Sequence, residues 1–280
     1  MRALPTSPQS PAEIIGSGFE LGIGIYAKLF MATSLIAFLQ LLPIMDLALR
    51  LGNTEVTPEA QLSEQFSGHQ IMVQLAVLFM ALLVQGMAIA RLDHLAQGQP
   101  GDYRDEWHRG LKAFLPLVGA LLLSIAIGVA GGLLASVVGL LIGFLGSLVF
   151  GKAGFMFFFV ATLFVTILYI CVYLLFIQYC IVLEGRGPIE AVNSSFRLVY
   201  GRWWRPFTVL LLLLLVFIVA AILLMIVVVP VALALHGPQT GRSLFIQGVI
   251  QMVATAVVTP LILAIFYTLY RDLKLRASGA

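Results

Sequence analysis

Six long apolar segments alternate with shorter polar stretches along the chain. They are residues 29–49, 71–90, 115–150, 154–183, 208–235 and 244–270. A helix needs about 20 residues to cross the hydrocarbon core of a bilayer, which is about 30 Å thick, and each segment reaches that length. The pattern predicts an all-α membrane protein with six transmembrane helices in one membrane domain, residues 1–280.

The composition indicates the same class. Of the 280 residues, 61% are hydrophobic and 10% are charged, whereas soluble domains contain about 25% charged residues. The first 20 residues lack the apolar stretch and the cleavage site of a signal peptide, so we expect them to stay in the mature protein. The net charge of +3 is small and dispersed, so we expect no nucleic-acid partner.

The third segment, 115–150, is longer than a bilayer requires. Its 36 residues would form a helix of about 54 Å. One interpretation is a single helix whose surplus, around Leu140–Phe150, is tilted, kinked or re-entrant; the other is two short spans broken at Gly131 and Gly132. Four glycines at small-xxx-small spacing predict a close helix crossing within the chain or between two copies: Gly128, Gly132, Gly139 and Gly143.

The distribution of lysine and arginine favours one long third helix. With six spans and a cytoplasmic N-terminus, 13 of the 16 basic residues lie on the cytoplasmic side, as short cytoplasmic loops require. They are Arg2, Lys28, Arg91, Arg104, Arg109, Lys112, Arg186, Arg197, Arg202, Arg205, Arg271, Lys274 and Arg276. Breaking the third segment into two spans would place four of these arginines on the outer face. We therefore keep six spans, which place both termini in the cytoplasm.

The polar segment EGRGPIEAVNSSFRLVYGRWWRPF, residues 184–207, repeats a pattern of the N-terminus at an offset of 177 residues. The aligned pairs are Pro11 and Pro188, Glu13 and Glu190, Ser17 and Ser194, Phe19 and Phe196, Leu21 and Leu198, Tyr26 and Trp203, Lys28 and Arg205, and Phe30 and Phe207. A fainter copy follows Pro100, with Trp107 in place of Phe19. Three units, 11–90, 100–183 and 188–270, are therefore predicted, each an amphipathic interfacial helix followed by a hairpin of two spans, so that such helices precede spans 1, 3 and 5.

The segment 184–207 also contains the candidate interface residues. Ile189, Val192, Phe196, Val199 and Tyr200 follow helical spacing and predict an apolar stripe, while Glu190, Asn193, Ser194 and Arg197 lie opposite. A helix of this kind lies in the headgroup region, where tryptophan and arginine side chains are common. The candidates are Glu184, Arg197, Arg202, Trp203, Trp204 and Arg205, which either set the depth of the helix or bind a lipid headgroup or partner protein.

Few residues within the spans suggest chemistry. Five glutamines predict either hydrogen bonds between helices or a polar cavity: Gln40, Gln85, Gln178, Gln247 and Gln251. Cys171 and Cys180 are expected to pack, and no metal-ligand or catalytic motif is present in the sequence. We therefore expect no cofactor, no metal and no enzymatic activity.

The order V-L-E-G at 182–185, G-P-I-E-A-V-N-S-S-F-R-L-V at 187–199 and a Trp/Arg entry to the next span resembles YciC-like bacterial inner-membrane proteins. It is also similar to the membrane-domain family fused to some glycerophosphodiester phosphodiesterases. The resemblance implies a six-span bundle in the bacterial inner membrane, and it transfers no catalytic residue.

Three functions are compatible with these patterns. We expect a non-catalytic protein that handles lipid or another amphiphile, with lateral openings near Arg202–Arg205. The alternative is a small-solute transporter or channel in which the five glutamines converge on one cavity. A scaffold for a membrane complex, with a homo-oligomer or another membrane protein as partner, would instead expose the glycine-rich face of the third span.

Overall fold

The computed structural model describes residues 9–52, 57–99, 101–234 and 241–278, and it describes the backbone alone at 58, 60, 61, 220, 221, 223–234 and 241–243. Over these residues the regular structure is entirely helical. The helices are α1 (Pro11–Leu51), α2 (Pro58–Gln65), α3 (Gly68–Ala96), α4 (Tyr103–Leu174), α5 (Ile177–Glu184), α6 (Pro188–Val199), α7 (Trp204–Ala234) and α8 (Gly241–Ala277). Leu235, which ends the fifth predicted span, lies outside the described residues.

Within the described ranges, four helical stretches are long and apolar enough to cross a membrane: α1, α3, α4 together with α5, and α8. The number rises to five if α6 and the first part of α7, which are bent by 90° at a short break, count as one span. This count takes α4 as one helix, although its chain reverses at Gly151. An all-helical chain with several apolar helices of membrane-spanning length is therefore confirmed, and the number of six spans stays a prediction.

The first compact unit comprises the described residues up to Phe114 and from Thr208 onward. In it α1 packs antiparallel to α8: Gly18 lies against Ile265 at one end, and Gly248 lies against Ile44 at the other. A Cβ atom at Gly18 would lie 2.7 Å from the Cα atom of Ile265, a distance that only glycine permits. α3 packs on another side of α1, where the Gln70 side chain donates a hydrogen bond of 2.8 Å to the Pro43 carbonyl.

The second unit, residues 115–207, contains a hairpin formed by α4 itself. The backbone leaves the helical region at Gly151, where φ is 63°, a conformation that glycine adopts readily. The two arms pack antiparallel, since Gly139 faces Phe159 and Gly143 faces Phe155. The helix continues through Gly131, Gly132 and Leu140–Phe150, so it has neither the break of the alternative interpretation nor a re-entrant element there. Gly128 and Gly132 have no neighbour within 4 Å of a would-be Cβ.

Two features differ from the predicted organisation. The segments before the first and third predicted spans are not separate helices, because α1 and α4 run through them without a break; α6 alone is a separate, angled helix. The fourth predicted span, 154–183, is interrupted by a turn at Leu175 and Phe176 between α4 and α5. Hydrogen bonds between the Ser195 side chain and the backbone of Tyr173 and Phe176 stabilise that interruption.

Equivalent positions of the three predicted repeat units are buried. Gly18, Glu106 and Ser195 occupy one aligned position, and Gly22, Gly110 and Val199 occupy another. Each of these segments packs on the last helix of another predicted repeat. Gly18 lies against Ile265 of α8, and Gly110 lies against Met87 of α3. Ser195 bonds to the Tyr173 carbonyl in the second arm of α4. This agreement supports the repeat, which stays a prediction.

Candidate functional site

Five aromatic rings form a continuous chain of contacts in the second unit, which we call the aromatic stack: Tyr169, Tyr173, Phe196, Trp203 and Phe207. The ring centroids are 4.8 Å apart for Phe207 and Trp203, 5.6 Å for Trp203 and Tyr169, 4.9 Å for Tyr169 and Tyr173, and 4.8 Å for Tyr173 and Phe196. Stacked and tilted pairs at these distances stabilise each other beyond the area they bury. The stack joins the second arm of α4 to α6 and to the start of α7.

Ser195 holds α6 against the interruption between α4 and α5. Its hydroxyl donates to the Tyr173 carbonyl at 2.5 Å and accepts from the Phe176 backbone N–H at 3.3 Å. A break in a helix leaves such backbone groups without their usual partners, and a serine side chain can replace them in an apolar environment. The side chain of Ser195 is completely buried, so the contact fixes how α6 approaches α4.

The face of α6 that packs inward differs from the predicted stripe. Val192 and Val199 are buried, whereas Ile189 and Tyr200 are exposed. Ser194, which was predicted to lie on the polar side, is buried; its hydroxyl bonds to the Glu190 carbonyl at 2.6 Å and to the Arg186 guanidinium. The inner face of α6 therefore packs on protein that itself supplies polar partners, which a stripe of apolar residues does not anticipate; the placement of the stripe in the headgroup region stays a prediction.

The predicted interface residues lie around the junction of α6 and α7, which we call the elbow (197–207). Trp204 is 73% exposed, while Trp203 lies in the aromatic stack and meets Trp204 edge to face at 5.1 Å. Arg197 is exposed, and Arg202 and Arg205 are half-buried. Glu184 lies farther back, at the end of α5, where its carboxylate accepts from Arg186 at 2.5 Å. The structure thus brings five of the six candidates to the elbow and pairs the sixth with another arginine.

The elbow combines three kinds of group that bind amphiphiles. The exposed rings of Tyr200 and Trp204 offer apolar surface, and arginines 197, 202 and 205 offer guanidinium groups suited to phosphate oxygens. The Trp203 indole N–H is buried and has no hydrogen-bond partner among the described residues. These groups can bind and orient a ligand, but no nucleophile paired with a base lies among them.

The five glutamines occupy different surroundings. Gln40 of α1 and Gln247 and Gln251 of α8 are exposed, and Gln85 of α3 is half-buried, all in the first unit. Gln178 of α5 is half-buried in the second unit. Their convergence on one cavity therefore stays a prediction.

A buried polar cluster of the first unit, which we call the Arg91 cluster, was not anticipated. Arg91 of α3 donates from Nε to the Lys28 carbonyl at 2.7 Å, from one terminal nitrogen to Glu106 Oε2 at 3.0 Å, and from the other to the Tyr103 hydroxyl at 3.0 Å. Its guanidinium also lies 4.1 Å from the Tyr103 ring centre. His94 Nδ1 is 3.9 Å from Glu106 Oε1. One arginine therefore links α1, α3 and α4.

A second set of contacts ties α8 to the same end of the unit. The Tyr267 hydroxyl donates to Asp93 of α3 at 2.7 Å, and Arg276 bonds to Asp272 at 3.1 Å and to the Gln9 carbonyl at 3.0 Å. At the opposite end, Arg50 pairs with Asp46 at 3.2 Å. Arg91 and Arg271 therefore lie near the Asp93–Tyr267 contact and Arg276 lies beside the start of α1, all away from Arg50; the side of the membrane that these residues face stays a prediction. Arg2 lies outside the described residues.

The described residues contain no group of three or more His, Cys, Asp or Glu side chains that could hold a metal ion. Cys180 is fully buried, whereas Cys171 is exposed on the surface of α4, so the expectation of a packed side chain applies to Cys180 alone.

Comparison with known proteins places the chain in a family. No curated protein and no solved structure matches it, and the resemblance to the two families named above stays a prediction. The model of a family described as "Domain of unknown function (DUF7847)" matches residues 15–273, which include both the Arg91 cluster and the elbow. The chain belongs to the DUF7847 family.

Proposed function

We propose that this protein is a non-catalytic integral membrane protein that binds lipid or another amphiphile with an anionic headgroup at the elbow. The observation that carries the proposal is the combination of exposed Tyr200 and Trp204 with three arginines where two helices meet at 90°. A right-angled junction suits a membrane surface, because α6 can lie in the headgroup layer while α7 enters the hydrocarbon. Guanidinium groups at that depth bind phosphate oxygens with two parallel hydrogen bonds.

The orientation is part of the proposal. We place the elbow and the Arg91 cluster on the cytoplasmic side, in the bacterial inner membrane, since basic residues are enriched in cytoplasmic loops. The separation of Arg91, Arg271 and Arg276 from Arg50 within the first unit supports this placement.

Rigid positioning of Trp203 supports binding at a defined site. The indole ring is stacked between Tyr169 and Phe207, so the rotational freedom it would otherwise lose on binding is already restricted. Ser195 and the pair of Arg186 with Glu184 hold the segments on either side of the stack. A headgroup would therefore meet preorganised donors.

Native mass spectrometry of the purified protein tests the proposal. We expect phospholipid to remain bound to the parent protein and to be lost from the variant Arg202→Ala/Arg205→Ala. Arg50→Ala, which removes a cation from the other end of the first unit, is the control and should keep its lipid. Undiminished binding in the double variant, or no lipid on the parent protein, would contradict the proposal.

A further inference from the structure

The first turns of α4 present a second surface of mixed character, which we call the α4 stripe: Tyr103, Trp107 and Leu111. These residues recur every fourth position, and Trp107 and Leu111 are 43% and 46% exposed. Arg104, His108 and Lys112 follow the same spacing immediately beside them and are all exposed. None of these three basic side chains has an ion-pair partner among the described residues.

A neighbouring side of the helix determines which way the stripe faces. Glu106 is 1% exposed and is held by Arg91, and a Cβ at Gly110 would lie 2.6 Å from the Met87 side chain of α3. α4 therefore cannot rotate to bury Trp107 and Leu111 without separating Glu106 from Arg91. The Arg91 cluster thus keeps an apolar stripe and the cations of Arg104 and Lys112 directed outward.

We propose that the α4 stripe docks on a lipid surface that contains anionic phospholipids. An apolar stripe flanked by basic residues is the pattern of helices that lie in the interfacial plane, with the rings among the upper acyl carbons and the cations at the phosphates. Each basic side chain near an anionic surface strengthens binding about fivefold. The inference rests on the proposed membrane location, but it is independent of ligand binding at the elbow.

Site-specific quenching tests this assignment. The full-length protein carries Cys171→Ser to remove the exposed cysteine and Leu111→Cys labelled with the fluorophore bimane, in nanodiscs of phosphatidylcholine and phosphatidylglycerol. Either lipid is brominated in turn, because bromine quenches bimane on contact. We expect quenching at position 111 that is several-fold stronger with brominated phosphatidylglycerol, and we expect Arg104→Gln/Lys112→Gln to abolish that preference.

Two further label positions distinguish the outcomes. Arg109→Cys lies on the opposite side of α4 and should be unquenched, whereas Leu133→Cys, on an exposed and purely apolar turn, should be quenched equally by both lipids. No quenching at 111 with normal quenching at 133 would overturn the inference, since a protein partner or water would then cover the stripe. Equal quenching at 111 by both lipids would overturn the claim that the α4 stripe prefers anionic phospholipids. No quenching at 133 would contradict the membrane location itself.

Discussion

The carboxylate of Glu106 lies 3.0 Å from the Arg91 guanidinium, and both side chains are buried. Removing one member of such a pair leaves an uncompensated charge and costs about 3–5 kcal/mol, whereas replacing both by apolar residues of similar size is often close to neutral. The pair joins the end of α3 to the start of α4. It therefore fixes the first turns of α4 against α3 more than it adds to the stability.

Single and double replacements of this pair should behave very differently. We expect Arg91→Met to lower the free energy of unfolding by about 3–5 kcal/mol, and Arg91→Met/Glu106→Leu to recover most of that loss. Denaturant titration of the purified protein in detergent, followed by circular dichroism, measures both. Additive losses in the double variant would show that the two side chains do not act as a pair.

The close approach of α1 and α8 depends on Gly18. Because a Cβ there would lie 2.7 Å from a backbone atom of Ile265, the helices must separate to accept it. We expect Gly18→Ala to destabilise the protein by about 1–3 kcal/mol in the same titration. Gly24, two turns along α1, has no neighbour within 4 Å, so Gly24→Ala should be neutral or stabilising; equal effects of the two substitutions would contradict the packing.

Ser195 should contribute more to the free energy of unfolding than an ordinary helix serine does. Ser195→Ala removes a buried hydroxyl that bonds both the Tyr173 carbonyl and the Phe176 N–H, and the loss of such a bond in a buried place costs about 1–3 kcal/mol. Ser136 is the matched control, because its hydroxyl donates only to the Gly132 carbonyl of its own helix, which already bonds within the helix; Ser136→Ala should change the stability by less than about 0.5 kcal/mol. A stability of Ser195→Ala equal to that of the control would exclude the role of Ser195 at the break.

The start of α1 should respond to pH. The Ser10 backbone N–H and the Ser10 side chain hydrogen-bond to Glu13 and hold the pKa of its carboxyl below the usual 4.5. A lowered pKa means that Glu13 stabilises the first turn above pH 4.5 and that this contribution is lost as the pH falls through the lowered pKa. We expect amide hydrogen exchange in the first turn to show this loss, and Glu13→Gln to remove it; an identical pH profile in that variant would contradict the capping interaction.

Much of the fold follows from the hydropathy pattern. Segments such as 71–90 and 244–270 lie inside α3 and α8, because a backbone in lipid must satisfy its own hydrogen bonds and a helix does so within one segment. The reversal between the third and fourth predicted spans falls at Gly151, where the sequence offers a residue that tolerates positive φ. Long apolar runs and a glycine between them are local signals, so these features could be predicted from the sequence alone.

The remaining features depend on residues that are distant in sequence. The continuity of α1 depends on α8, whose Ile265 packs on Gly18. From the sequence, Arg91 and Glu106 are each interpreted as a solvated charge next to a span. That they form a buried pair follows only from the packing of α3 against the start of α4. The sequence Arg91-Leu-Asp93-His94, at the end of an apolar segment, was the one available signal of such a cluster. At the elbow, the candidates were chosen because tryptophan beside arginine is typical of a membrane interface, and their role there stays a prediction.

The side of the membrane reached by Arg197 tests the account most directly. A protein with Arg197→Cys and Cys171→Ser would be treated with a membrane-impermeant maleimide in intact bacteria and in inverted inner-membrane vesicles, with Gln65→Cys in α2 as the control for the opposite side. We predict that position 197 is modified in inverted vesicles alone and position 65 in intact cells, once the outer membrane is permeabilised. Modification of position 197 from outside intact cells would contradict the orientation of the elbow and the lipid-binding proposal built on it.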